Sequence, residues 1–120
     1  MNEQISYLDE AFEDWKGDFE QVDDVPFMEK VFDIKEDKHK VIPAVTHVNG
    51  TGRLQTVDAA DNPRYHRLIS TFKGKTGIPI LLNTSFNENE PIVNTPEHAL
   101  DCYLRTKMDM LVLENIVVQR

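Results

Sequence analysis

Apolar residues recur along the chain either at helical spacing or in short runs typical of strands, and these two patterns predict the helices and strands. Over residues 3–15, apolar residues recur three and four positions apart, which predicts an amphipathic helix. Two later helices are predicted by the start signals Asp61-Asn62-Pro63 and Thr95-Pro96-Glu97, because a capping side chain followed by proline is typical of a first helical turn. The helices are therefore expected near both ends and in the middle of the chain.

Shorter apolar runs predict the strands. One or two lie between residues 25 and 34, one at 53–57, one at 78–82, and two at 110–113 and 116–118. Before the 53–57 strand, Asn49-Gly50 is a turn dipeptide in which Gly50 supplies the positive φ. This order predicts an α/β (α+β) fold with helices packed on a mixed sheet in two layers. Because 120 residues make one domain, we expect a single domain over 1–120.

The strand at 78–82 ends in a concentration of polar side chains. Amide and hydroxyl groups are supplied by Asn83, Thr84, Ser85 and Asn87. Ligands of open α/β sheets bind outside the carboxyl ends of strands, so this position predicts a binding site. The alternative is an Asx-type turn in which these side chains satisfy nearby backbone groups, and the residues alone favour neither. Ser85 lacks the surroundings of a nucleophile elbow, which indicates a hydrogen-bonding group.

A second candidate is the glycine loop NGTGR at residues 49–53. Its two glycines would let the backbone approach a ligand closely, and Arg53 adds a planar fork of donors suited to an anion. Because paired glycines are common in ordinary turns, the loop chemistry alone favours a structural role. On the last helix, Arg105 is a surface charge by pattern, but it would reach the 83–87 turn if it faced inward.

Charge excludes several function classes. The net charge is −8, and residues 1–37 hold 13 acidic residues against 3 lysines, which predicts a solvated acidic surface. Without a cluster of Lys and Arg, no nucleic-acid partner is predicted.

The histidines follow no metal-ligand spacing, so no metal site is expected in this chain, and Cys102 is interpreted as an inert buried thiol. With no apolar segment of spanning length and no signal peptide, we expect no membrane association and a cytoplasmic location.

Three blocks of the sequence resemble the C-terminal end of the O-carbamoyltransferase family, which includes nodulation and antibiotic-tailoring enzymes. The blocks are HVNGTGRLQTV at 47–57, GIPILLNTSFN at 77–87 and PIVNTPEHALDCYLRTKMDMLVL at 91–113. They follow the order and spacing of the family from about Ile42 to the C-terminus. The resemblance implies that the chain is part of a YrdC-like domain, truncated on its N-terminal side.

The resemblance also implies a chemistry. The YrdC-like part of such enzymes converts carbamoyl phosphate and ATP, with Mg²⁺, into carbamoyl adenylate, and a metal-binding domain passes the carbamoyl group to an acceptor hydroxyl. The family's site residues carry over onto Arg53, which would face phosphate or carbamoyl oxygens, and onto Ser85 and Asn87, which match a Ser-x-Asn element. Asn83 is a neighbouring substrate-binding candidate.

Two departures from the family bear on activity. The arginine- and glycine-rich block expected upstream and the whole metal-binding domain are missing, so we expect the isolated chain to be inactive unless a partner protein supplies them. The turn after the Ser-x-Asn element reads NENEP, without the family's glycine. The alternative hypothesis is a scaffold that catalyses nothing and packs against a partner through surface that the missing domain would cover.

Overall fold

The structure, a computed structural model, describes the backbone of residues 4–8 and the whole of residues 25–120. The chain divides into two compact units, residues 1–84 and residues 85–120. The single domain expected over residues 1–120 stays a prediction.

The first unit is built on a mixed sheet. Its strands are β1 (Gln4–Leu8), β2 (Val31–Asp33), β3 (Thr51–Val57) and β4 (Ile80–Asn83), in the order β2-β3-β1-β4. Strand β1 pairs in parallel with β3 and antiparallel with β4, and β2 pairs antiparallel with β3. The mixed sheet predicted from the sequence is therefore confirmed, and β2 is the one strand formed between residues 25 and 34.

The helix predicted over residues 3–15 is wrong where the structure describes it, because residues 4–8 form β1. This strand lies between β3 and β4 and forms backbone ladders with both. The two ladders pair backbone groups that a helix would pair locally, and this long-range pairing overrides the helical period of the apolar residues. The rest of that prediction falls outside the described residues.

Apolar side chains cover both faces of the sheet. One face carries a buried cluster made by Ile34, Ile42, Val45, Leu54 and Ile80. On the other face, helix α1 (Pro63–Thr76) packs through Ile69 against Val57, with Leu81 beside them. This layer of helix on sheet is the two-layer packing predicted from the sequence.

Local signals set the ends of α1. The Asn62 side chain accepts a hydrogen bond from the Tyr65 backbone N–H, and Pro63 occupies the first turn. The helix ends at Gly77, whose φ of 77° lies in the left-handed region and whose N–H donates to the Lys73 carbonyl. The first boundary agrees with the start signal Asp61-Asn62-Pro63 in the sequence.

The second unit contains helix α2 (Pro96–Arg105) and a hairpin of β5 (Met110–Leu113) and β6 (Ile116–Gln119). Thr95 caps the helix by accepting from the His98 backbone N–H at 3.2 Å. Its buried core consists of Ala99, Tyr103 and Leu111, with Phe86 and Val93 among the side chains packed against it. These elements agree with the sequence-based prediction for residues 95–118. None of the helices in the described residues has the length and apolar character needed to cross a bilayer.

Candidate functional site

The register of the sheet relates two of the predicted site residues. Leu54 of β3 and Leu82 of β4 both pair with Ile5 of the central strand β1. Arg53 comes one residue before Leu54, on a strand parallel to β1. Asn83 comes one residue after Leu82, on a strand antiparallel to β1, and pairs with Gln4. Arg53 and Asn83 therefore both lie beside Gln4, one residue before Ile5. Two strand spacings separate them, which places their Cα atoms about 10 Å apart. The first unit thus brings Arg53 and Asn83 into one row of the sheet.

Arg53 and Asn83 also share a face of the sheet. Leu54 is 1% exposed and packs in the cluster on one face, and successive strand residues point to opposite faces. Arg53 therefore lies on the face that helix α1 covers, and Asn83 lies on the same face. Both residues are half-buried. Among the described residues, no carboxylate pairs with Arg53. Its guanidinium therefore has donors available for an anion within this part of the chain.

The glycine loop before Arg53 is a tight turn. Gly50 has φ of 82°, and its N–H donates to the His47 carbonyl at 2.9 Å. The Thr51 hydroxyl donates to Asn49 Oδ1 at 2.8 Å, so the polar groups of the loop bind one another. A Cβ atom at Gly50 would lie 2.9 Å from Cε1 of His39, whose Nε2 is 2.8 Å from the Ile34 carbonyl. The predicted positive φ is confirmed, and the packing of His39 on Gly50 is a contact that the sequence did not reveal.

Ser85 and Asn87 lie in the second unit, on the loop of residues 85–93. The Asn87 amide Nδ2 donates to the Glu90 carbonyl at 3.0 Å, and the Asn87 backbone N–H donates to the Ser85 carbonyl at 3.2 Å. The turn alternative therefore holds for the Asn87 amino group, which closes a loop that lacks the family's glycine. Ser85 is exposed, and its hydroxyl forms no hydrogen bond within the described residues.

A backbone hydrogen bond and an apolar anchor close the same loop. The Val93 N–H donates to the Phe86 carbonyl at 2.9 Å. The Phe86 side chain, between Ser85 and Asn87 in sequence, packs against the buried core of the second unit. The middle residue of the Ser-x-Asn element is thus a structural anchor for the two polar residues beside it.

The sequence did not reveal an ion cluster next to this loop. Arg105, at the end of α2, lies 2.8 Å from each of three carboxylates, through Nη1 to Glu88, Nη2 to Glu90 and Nε to Asp101. Of these contacts, only the spacing of Asp101 and Arg105, four residues apart on a helix, was visible in the sequence. Arg105 therefore joins helix α2 to the loop that follows the Ser-x-Asn element.

The cluster shifts the pKa values of its members. A hydrogen bond from its own backbone N–H, together with those from Arg105 and Asn89, lowers the pKa of Glu90 to about 2. Hydrogen bonds from Arg105 to Asp101 and then to Glu90 raise the pKa of Arg105.

Burial raises the pKa of the Cys102 thiol, which is fully buried, and the Glu90 carboxylate adds to that rise. Cys102 is therefore a neutral thiol at physiological pH, which agrees with the inert role expected for it.

A cleft of about 430 Å³ opens beside the cluster, between residues 90–94 and helix α2. The charged groups in its lining include Glu90 and Asp101, each of which pairs with Arg105. Among the described residues that line the cleft, no Lys or Arg is therefore left unpaired to attract a phosphate. Among the described residues, no group of three or more His, Cys, Asp or Glu side chains is placed to hold a metal ion.

Comparison with known proteins assigns the chain to a family. A family model described as "Carbamoyltransferase C-terminus" matches residues 5–120. Nodulation protein NolO of Bradyrhizobium diazoefficiens is 47% identical over 97 residues, which cover 80% of this chain and 18% of that protein. Nodulation protein NolNO of Sinorhizobium fredii is 46% identical over 96 residues, covering 79% of this chain and 14% of that protein.

A third relative matches a shorter stretch. The 3'-hydroxymethylcephem-O-carbamoyltransferase of Amycolatopsis lactamdurans is 45% identical over 71 residues, covering 58% of this chain and 14% of that enzyme. The matched parts thus span less than a fifth of the length of each of these relatives. On the extent of the family match, the chain belongs to the carbamoyltransferase C-terminal family.

Proposed function

We propose that this chain supplies part of a site that forms carbamoyl adenylate from carbamoyl phosphate and ATP. The family match over residues 5–120 carries the proposal, because it gives the chain a carbamoyltransferase-related role. In the balanced reaction, the phosphoryl group of carbamoyl phosphate passes to water, and the released carbamate oxygen bonds to the α-phosphorus of ATP as pyrophosphate leaves. An acceptor hydroxyl then takes the carbamoyl group, and AMP leaves.

Each candidate residue has a role that suits its chemistry. The Arg53 fork would donate to phosphate or carbamoyl oxygens, and its half-buried position without a carboxylate partner in the described chain supports this. Asn83, in the same row of the sheet, would add an amide to the substrate-binding surface. The Ser85 hydroxyl and the Asn87 side-chain carbonyl would orient the carbamoyl group, which as an amide both donates and accepts. Fixed polar groups of this kind stabilise the charge that develops during transfer.

Arg53, Asn83, Ser85 and Asn87 fit ATP better than they fit Mg²⁺ itself. All four offer neutral or cationic groups, whereas Mg²⁺ in proteins is held by carboxylates and substrate phosphates. Arg53, Ser85 and Asn87 would thus contact the oxygen atoms of ATP or of carbamoyl phosphate. Mg²⁺ bound to the phosphates of ATP would neutralise their charge.

We propose that the rest of the enzyme is supplied by a partner protein that carries the metal-binding domain, and that the pair acts in the cytoplasm. The relatives are more than five times as long as the stretch they share with this chain. The acceptor would then bind mainly to the partner.

An exposed apolar face favours a second candidate function, a scaffold that catalyses nothing itself. In the β5–β6 hairpin, Val112 and Val117 pair across the strands and are 57% and 58% exposed. Met110, on the same face, is also about half exposed. Apolar patches of this kind mark surfaces that pack against another protein.

Complementation tests the first proposal. The chain is mixed with ATP, Mg²⁺ and carbamoyl phosphate, with and without a protein that carries the missing part, and pyrophosphate release is measured. We expect product only in the complemented mixture. A well-folded chain that gives no product there would contradict the proposal, and calorimetry without saturable heat from ATP or carbamoyl phosphate would favour the scaffold.

Substitution of Arg53 tests the site. We expect Arg53→Ala to abolish pyrophosphate release in the complemented mixture with little change in melting temperature, because the guanidinium has no carboxylate partner among the described residues. Arg67→Ala is the matched control, since Arg67 is an exposed arginine of helix α1. Equal activity of both variants would remove Arg53 from the site.

A further inference from the structure

We propose that Arg105 is a positioning residue, which fixes the loop of residues 85–93 on helix α2 and thereby holds Ser85 and Asn87 in place for the substrates. The inference rests on the function proposed above for those two residues. The family resemblance did not assign Arg105 to the site, and the sequence pattern raised a position near the 83–87 turn only as the alternative to a surface charge.

The guanidinium of Arg105 divides its contacts between helix and loop. Nε binds Asp101 on the same helix at 2.8 Å, which sets the plane of the guanidinium. Nη1 and Nη2 then reach the loop, to Glu88 and Glu90, also at 2.8 Å. A planar group held on one side by its own helix gives the two loop contacts a fixed direction.

The contacts continue from Arg105 to the Ser-x-Asn element. The Glu90 side chain binds Arg105, and the Glu90 carbonyl accepts from the Asn87 side chain at 3.0 Å. The Asn87 backbone N–H in turn donates to the Ser85 carbonyl. One residue, Glu90, therefore transmits the position of Arg105 to both proposed substrate contacts.

The loop would otherwise depend on its apolar anchor. Phe86 and Val93 pack against the core, and the Phe86 carbonyl accepts from the Val93 N–H, but these contacts hold the two ends of the loop. Glu88 and Glu90 lie in the segment between them. The ion cluster therefore attaches the middle of the loop to helix α2.

Removing Arg105 would also replace attraction by repulsion, because three carboxylates would be left without the cation between them. Glu88, Glu90 and Asp101 each lie within 2.8 Å of one guanidinium, so the three carboxylates are close to one another. An isolated exposed ion pair contributes little, but here the loss of the cation leaves like charges opposed across the loop and the helix. We expect the loop to move away from α2.

Amide hydrogen exchange measures the fixing of the loop in the chain alone. In Arg105→Gln, we expect the Val93 and Asn87 amides to exchange about tenfold faster than in the wild type, because loop opening becomes easier. Arg105→Lys keeps the charge but not the planar fork, so its exchange should lie between the two. Lys107→Gln is the matched control, since it removes an exposed positive charge outside the cluster.

Kinetics of the complemented mixture measure the positioning. For Arg105→Gln we expect the KM for carbamoyl phosphate to rise and kcat to fall, with a loss of about tenfold or more in kcat/KM, because misplaced contacts weaken transfer. Arg105→Lys should recover part of the loss, and Lys107→Gln should match the wild type. A merely stabilising role would reduce the amount of active protein and leave KM unchanged.

The possible outcomes separate this inference from the function on which it rests. Unchanged exchange in Arg105→Gln would overturn it, and so would faster exchange with unchanged KM and kcat. If the wild-type mixture gives no product, the proposed function fails, and the positioning role for carbamoyl transfer fails with it, even where exchange shows that Arg105 fixes the loop. If Arg105→Gln does not fold, Glu88→Gln removes one loop contact and should accelerate exchange in the same direction, to a smaller extent.

Discussion

Two pairs of candidate residues are held in place by different interactions. The strand pair, Arg53 and Asn83, lies on strands fixed by backbone ladders and buried apolar side chains. The loop pair, Ser85 and Asn87, lies on a loop held by an apolar anchor, a backbone hydrogen bond and exposed ion pairs. Exposed ion pairs are screened by salt and lost on protonation, whereas burial of apolar area is not. The geometry of the loop pair should therefore depend on conditions, and that of the strand pair should not.

The largest effect is expected from the core beneath the strand pair. Leu54 is 1% exposed, so Leu54→Ala should lower the free energy of unfolding by about 2–5 kcal/mol through lost burial and a residual cavity. The control is Leu68→Ala on α1, where the leucine is 57% exposed and the change should stay within about 0.5 kcal/mol. Urea denaturation measures both. Equal destabilisation would mean that the core cluster does not support the sheet.

A smaller effect is expected from the turn that leads to Arg53. Gly50→Ala should lower the free energy of unfolding by about 1–2 kcal/mol or more, because its positive φ is unfavourable for alanine and the new Cβ would meet His39. Gly74→Ala should raise it by about 0.5–1 kcal/mol, since this glycine lies in a helix with open space around it. Thermal denaturation of the two variants compares them. Stability gained at Gly50 would rule out the strained turn.

A pH titration addresses the loop pair alone. The pKa of Glu90 in the fold is about 2, below its ordinary value of 4.5, so the stabilisation from its ionised form is complete above pH 4.5. It should be lost as the pH falls from 4.5 through about 2. The NMR shifts of the Glu90 carboxyl carbon and the Val93 amide should change together as Glu90 is protonated, with a midpoint near pH 2. In Glu90→Gln the Val93 amide shift should no longer change with pH in this range. A Val93 shift that still changes would mean that another group titrates.

The smallest effect concerns the core beneath the loop pair. The Tyr103 side chain is buried, and its hydroxyl has no hydrogen-bond partner among the described residues. Tyr103→Phe should therefore leave the free energy of unfolding within about 0.5 kcal/mol of the wild type, or raise it slightly. Chemical denaturation gives the difference. A loss of more than about 1 kcal/mol would indicate a partner for the hydroxyl outside those residues.

Features that depend on a few neighbouring residues could be predicted from the sequence. The caps at Asn62 and Thr95, the positive φ of Gly50 and the short strands of the last hairpin all follow from local chemistry. The resemblance to the carbamoyltransferases also came from residues in sequence order, and the family match confirms it. The roles of Arg53, Asn83, Ser85 and Asn87 stay predictions.

Features that join distant residues were decided by the tertiary structure. Residues 4–8 have a helical apolar period, yet they form a strand because β3 and β4 pair with both of its edges. The same register brings Arg53 and Asn83 into one row, although thirty residues separate them in sequence. Arg105 meets Glu88 and Glu90 only because the loop folds back on the helix. Sequence specifies local backbone preferences, whereas long-range pairing depends on which partners the folded chain brings within reach.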